Sequence, residues 1–151
     1  MTLTSIILQL LSGNGPDRIQ EKDMQYQELT GDDSGRICKS FKSDCVIRAI
    51  SVAANLPYRK VFEDLMAIGL EIGAYPNHEK VWQRYLEQDL GWVRNKPPRD
   101  HLNKMIKLRN WDGPKAAVVR NSRHLTAVSD GRVVDTWDCT YRPVNTYWTP
   151  A

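Results

Sequence analysis

Cysteine is scarce in this chain: Cys38, Cys45 and Cys139 are its only three, an odd number that cannot close a disulfide framework. With no recognisable secretory leader, that count points to a reducing compartment, the cytoplasm. Long apolar runs are missing too. The longest, Leu3 to Leu11, contains Gln9, has no basic flank and is about half of the ~20 residues a membrane-spanning helix needs, so no membrane role is expected. Lysine and arginine outnumber aspartate and glutamate by only 21 to 18, and no basic patch stands apart. The densest basic stretch, from Arg94 to Arg109, is interrupted by prolines and apolar residues and reads as a solvated face rather than a nucleic-acid footprint. No internal repeat, low-complexity segment or zinc-type cysteine spacing is visible, so no metal or cofactor is expected.

What remains has the composition of an ordinary globular domain, 41% hydrophobic and 26% charged, and 151 residues fit a single domain over 1–151. Residues 1–42 form an N-terminal extension of uncertain structure, broken at Ser12–Pro16 and again at Thr30–Gly35, with a strand or short helix between the breaks. From Ser43 the pattern clears. Ser43 and Asp44 can cap a helix, and Cys45 to Ala54 is apolar apart from Arg48 and Ser51, which predicts a central, mostly buried helix. Asn55 and Pro57 open a second helix, with Val61, Phe62, Leu65, Met66 and Ile68 at inward spacings. A third runs from His78 to Leu90 and stops at Gly91, and a short fourth is expected from Asp100 to Leu108. After Gly113-Pro114 the period changes to that of strands, at 115–121, 124–128, 132–137 and 143–148. Helices first and strands last give an α+β fold, with the Cys45 helix packed on a C-terminal antiparallel sheet.

One constellation carries chemistry. A thiol attacks carbonyl carbon as thiolate, and its ordinary pKa of about 8.5 leaves little thiolate at neutral pH without an electropositive neighbour. Cys45 follows the cap directly, so unsatisfied N–H groups and the positive helix end would face its sulfur. Of the three histidines, His124 is the best placed to act as base, because it starts a strand right after the Asn121-Ser122-Arg123 bend. Asp130-Gly131 is a strong signal for a two-residue type I′ turn, and in that register paired residues sum to about 261. Thr126 then faces Asp135, and His124 and Asp135 become diagonal neighbours on one face, roughly 7–8 Å apart. A three-residue turn would instead move Asp135 to the other face and bring Asp138 to the histidine. Trp137, opposite His124, is read as simple core in preference to a shield for the His–Asp bond. Arg48 is read as a salt-bridge partner at the core boundary.

The order of Cys45 at a helix start, His124 on a strand and Asp135 on the next strand resembles the papain-like cysteine peptidases. The stretches Ser43-Asp-Cys-Val-Ile-Arg-Ala49 and His124 to Asp138 resemble small uncharacterised bacteriophage proteins of the papain-like or bacteriocin-leader-peptidase-like kind. The resemblance covers roughly Ser43 to Asp138. It implies a papain-like fold and cofactor-free hydrolysis of a peptide or isopeptide bond in a protein or peptide substrate. Cys45 would form the acyl-enzyme, His124 would shuttle protons and Asp135 would hold the imidazole. A phage source would place the action in the host cytoplasm. Such peptidases often carry an oxyanion-hole glutamine about six residues before the cysteine, where this chain has Lys39. Lys39, Ser40 and the backbone of Ser43 or Asp44 are the substitutes in reach. Three rival readings fit the same residues: an acyltransferase with this triad, an inactive binding or inhibitor module on the same fold, and a structural protein with an incidental cysteine.

Overall fold

The computed structural model describes residues 24–29 and 43–151. In chain order it contains β1 (Tyr26–Glu28), α1 (Cys45–Ala54), α2 (Tyr58–Ile72), α3 (Glu79–Arg84), β2 (Val93–Asn95), β3 (Ala117–Asn121), β4 (His124–Ser129), β5 (Arg132–Asp135) and β6 (Thr146–Thr149). A single π-helical turn, Tyr85–Asp89, extends α3, and a 3₁₀ turn covers Leu108–Asn110. The fold is α+β, with helices packed on one six-stranded sheet.

Helix α1 is apolar on nearly every side and is accordingly buried, with Val46, Ile47, Ala49, Ile50 and Ala53 all in the core. It ends where Asn55 adopts φ 52°, the left-handed conformation that asparagine tolerates, and Ser51 closes the end by donating its hydroxyl to the Leu56 carbonyl. Pro57 then starts α2, whose inward residues are Val61, Leu65 and Ile68. Met66, expected inside, is 40% exposed. Val81, Trp82, Tyr85 and Leu86 form the expected inward stripe of the third helical segment, and Gly91 (φ 68°) ends it.

Strand order in the sheet is β1-β5-β4-β3-β6-β2. The sheet is mixed, not purely antiparallel, because β1 lies parallel to β5, pairing Tyr26 with Val133 and Glu28 with Asp135. That edge strand comes from the N-terminal extension, and the other edge, β2, is a strand the sequence pattern did not announce. Strand β2 pairs antiparallel with β6, setting Arg94 opposite Trp148, with its guanidinium over an indole 5.6 Å away. The expected helix over 100–108 does not form. Asp100 Oδ1 accepts from the backbone N–H of Leu102 (2.8 Å) and Lys104 (3.0 Å), Asn103 takes φ 61°, and the chain folds back to bridge Arg99 with Met105. Aspartate and asparagine here satisfy the backbone locally and displace the helix. The last expected strands are shorter, ending at Asp135 and starting at Thr146.

Alternation splits the core in two. Val118, Leu125, Ala127 and Trp148 face α1, α2 and α3. Ala117, Val119, Val128 and Val133 face the opposite way, against Leu108, Trp111, Cys139 and Val144. None of the described helices is long and apolar enough to cross a membrane. The Leu3–Leu11 run lies outside the described residues.

Candidate active site

Two hairpins position the histidine and the carboxylate. Between β4 and β5 both turn residues have positive φ, Asp130 at 50° and Gly131 at 72°, as a type I′ turn requires. The pairs Ala127↔Val134, Val128↔Val133 and Ser129↔Arg132 fix the two-residue register. The same register carries Thr126 opposite Asp135. Between β3 and β4 the two-residue loop Ser122-Arg123 joins the pair Asn121↔His124, with Ser122 at φ 59° and its N–H donated to the Asn145 side chain. His124 therefore begins β4 and Asp135 ends β5 at the same end of the sheet.

Across that end, His124 Nε2 donates to Asp135 Oδ2 at 2.6 Å. The bond is sheltered, since the imidazole is 13% and the carboxylate 2% exposed. Asp135 Oδ1 accepts from the Thr136 N–H at 2.7 Å and from Arg48 Nη2 at 3.3 Å. Trp137 packs against the imidazole with ring centroids 5.0 Å apart, and the Arg142 guanidinium lies over the Trp137 ring at 5.1 Å. Asp138, the alternative carboxylate, is exposed and turned to Thr140, whose hydroxyl and N–H it accepts at 2.6 and 3.0 Å.

With Nε2 held by Asp135, the ring's remaining nitrogen, Nδ1, is the one left for Cys45. Cys45 is the first residue of α1, and its thiol lies within the electrostatic influence of the His124 side chain and the Leu125 backbone. Because histidine and cysteine are each the first residue of their element, they meet at the end of the sheet although Leu125, not His124, faces the helix. Burial works against ionising the thiol, but the bond to His124, the Leu125 N–H and the charges of His124 and Arg48 outweigh it and lower its pKa. Burial likewise opposes protonation of His124, and the bonds to Asp135, Cys139 and Cys45 overcome it, raising the imidazole to about 11. For Asp135 burial is again outweighed, here by the imidazolium, and its carboxyl sits below the usual range. Cys45, His124 and Asp135 thus come together at one end of the sheet, and the surroundings of each favour its charged form.

Asp44 does not cap α1 with its side chain. Its carboxylate is taken by Arg48 and by the Tyr58 hydroxyl, the latter at 2.9 Å. Lys39 and Ser40, the other oxyanion candidates, and Cys38 lie outside the described residues. Arg48 is 4% exposed and joins Asp44 to Asp135, so the one cation in an apolar helix signalled a buried partner, though not which. Cys139, a cysteine outside the expected triad, is buried with its Sγ 3.7 Å from Asp135 Oδ2. His124, Asp135 and Cys139 have ligating atoms within 4.8 Å of one another. A metal there would have to displace the His–Asp bond and lie beside the Arg48 cation, so this donor set suits hydrogen bonding better than ligation.

A cleft of about 380 Å³ opens beside Cys45, with apolar lining from Val46, Trp82 and Leu125 and polar lining from Glu79, Arg120 and Arg123. Compared with protein-family models, curated proteins and solved structures, the chain matches none of them.

Proposed function

We propose that this chain is a cysteine hydrolase of papain-like architecture that cleaves a peptide, isopeptide or related acyl bond. The observation that carries the reading is the buried 2.6 Å bond from His124 to Asp135 beside a helix-terminal thiol, with the cysteine pKa lowered and the histidine pKa raised in the sense of an ion pair. A pair poised in this way is what nucleophilic catalysis by cysteine needs.

In the reaction the Cys45 thiolate adds to the carbonyl carbon, and the carbonyl oxygen takes up the negative charge. Backbone N–H groups at the start of α1 are suited to receive it. His124 gives its proton to the leaving nitrogen as the C–N bond breaks, leaving an acyl-thioester on Cys45. Neutral His124 then takes a proton from water, the hydroxide oxygen attacks the thioester, and the acid product leaves as the thiolate and imidazolium re-form. Asp135 keeps the ring oriented and stabilises its positive charge. The bacteriophage-like sequence pattern supports action on a host or phage protein in the host cytoplasm.

The test is the pH dependence of iodoacetamide labelling at each cysteine, read by peptide mass spectrometry in wild type and His124→Ala. The expected result is an apparent Cys45 pKa well below ~8.5 that moves back up when His124 is lost. Ordinary labelling of Cys45, indifferent to His124, would overturn the reading and favour a binding module on this scaffold.

A further inference from the structure

The hydrolase reading needs a peptide seated beside Cys45, and the charges lining the cleft bear on which peptide that is. Its apolar lining is Val46, Trp82 and Leu125. Of its charged groups, Glu79 is neutralised: its Oε1 accepts from Arg120 Nη1 at 2.7 Å and from Gln83 Nε2 at 2.6 Å. Arg120 is spent on that contact and on the Ser122 carbonyl, to which its Nε donates at 3.0 Å. Arg123 differs. It is exposed, is the chain neighbour of His124 in the two-residue hairpin loop, and forms no hydrogen bond or ion pair within the described residues. Asp44, behind the cleft, is buried with its charge matched by Arg48.

Among the described residues, the cleft therefore presents an apolar surface and one guanidinium without a partner, on the chain neighbour of His124. We infer that it selects acidic peptide substrates, an aspartate or glutamate side chain pairing with Arg123 while an adjacent apolar side chain lies on Val46, Trp82 and Leu125. Guanidinium and carboxylate match in shape as well as charge, so the pair would set register along the cleft as well as attract the substrate. A basic segment finds no free carboxylate opposite that position. The inference rests on the hydrolase reading and adds the substrate class to it.

The probes are tripeptide vinyl sulfones, Glu-Leu-Gly, Gln-Leu-Gly and Lys-Leu-Gly and the set with the first two residues exchanged, with the rate of Cys45 modification followed by mass spectrometry. In wild type a glutamyl probe should react roughly tenfold faster than its lysyl counterpart. Arg123→Glu should reverse that order and Arg123→Lys should keep it. Arg132→Glu, the same change in net charge at the far end of β5, should also keep it. Iodoacetamide labelling of Cys45, measured on every variant, corrects each probe rate for the reactivity of the thiol itself, so that only the ratio of glutamyl to lysyl rates is compared. Equal glutamyl and lysyl rates, no labelling by any probe, or an order unmoved by Arg123→Glu would overturn acidic selection while iodoacetamide still reports an activated thiol. If iodoacetamide labelling ignores His124, the triad itself falls and the selectivity falls with it.

Discussion

Arg48 and His124 divide one carboxylate between them: the guanidinium donates to Oδ1 of Asp135 at 3.3 Å and the imidazole to Oδ2 at 2.6 Å. The acid that orients the histidine is thus tied to the helix that carries the thiol. Arg48 also bonds Asp44, the residue just before Cys45, so a single buried cation connects both ends of the reacting line.

Removing that cation would take one charge partner from each of two buried carboxylates, Asp44 and Asp135. Arg48→Met should cost about 3–5 kcal/mol of unfolding free energy, because breaking one partner of a buried pair leaves charge uncompensated. Urea titration measures it. Cys45, which loses one of the charges that lower its pKa, should label with an upward-shifted pH midpoint in the fraction that stays folded. A loss below about 1 kcal/mol would mean that water replaces the guanidinium at little cost.

The paired imidazole predicts a defined pH window. His124 rises from an ordinary 6.5 to about 11, so its contribution to stability is whole below about 6.5 and is lost as pH climbs through about 11. The lowered thiol acts in the opposite sense, adding stability as pH rises toward its unfolded value, so it must be removed to see the histidine alone. Cys45→Ala should therefore lose melting temperature between pH 7 and pH 10.5 more steeply than Cys45→Ala/His124→Gln. Parallel profiles would show that the imidazolium is not held.

Much of this site was legible because its parts are set by local rules. Asp130-Gly131 dictates the turn, the turn dictates the register, and the register brings Asp135 to the face of His124. The Cys45 helix was readable from its all-round apolarity. What was not readable depends on distant partners. Strand β2 owes its existence to β6, fifty residues on, and β1 to a parallel pairing with β5 that no local pattern encodes. The missing helix at 100–108 was lost to side-chain hydrogen bonds of Asp100 that compete with helix formation. Arg48 was visible as an anomaly in an apolar helix, but its contact with Asp135 spans 87 positions and follows only from the packed fold.

That dependence on the turn can be tested directly. Gly131 holds φ 72°, where a β-branched side chain is strained, so Gly131→Val should destabilise by roughly 1–2 kcal/mol. Because a slip of one residue would carry Asp135 to the other face, the variant should also raise the pH midpoint of Cys45 labelling. Asp130→Asn, which suits the same turn, should leave both unchanged. A stable Gly131→Val with normal Cys45 reactivity would show that the strands, rather than the turn, set the register.

A last contrast lies far from the thiol, at the end of α2. Gly69 is inside the helix, where alanine would ordinarily gain about 1 kcal/mol. Here its carbonyl accepts from Gly73 N–H at 2.8 Å and Ala74 N–H at 2.9 Å, which draws the following chain back across it. A Cβ at Gly69 would stand 2.5 Å from the Ala74 carbonyl oxygen, a backbone atom that cannot swing aside. The clash should win over propensity, and Gly69→Ala should destabilise by about 1–3 kcal/mol in urea. Gly73→Ala meets no atom within 4 Å but must keep φ 78°, so its loss should be smaller, about 1 kcal/mol. Both should leave the Cys45 labelling profile where it is, since neither glycine is among the groups that shift the thiol or line its cleft. Stabilisation by Gly69→Ala would mean that the Gly73–Ala74 turn yields, and that the end of α2 is held less tightly than its hydrogen bonds imply.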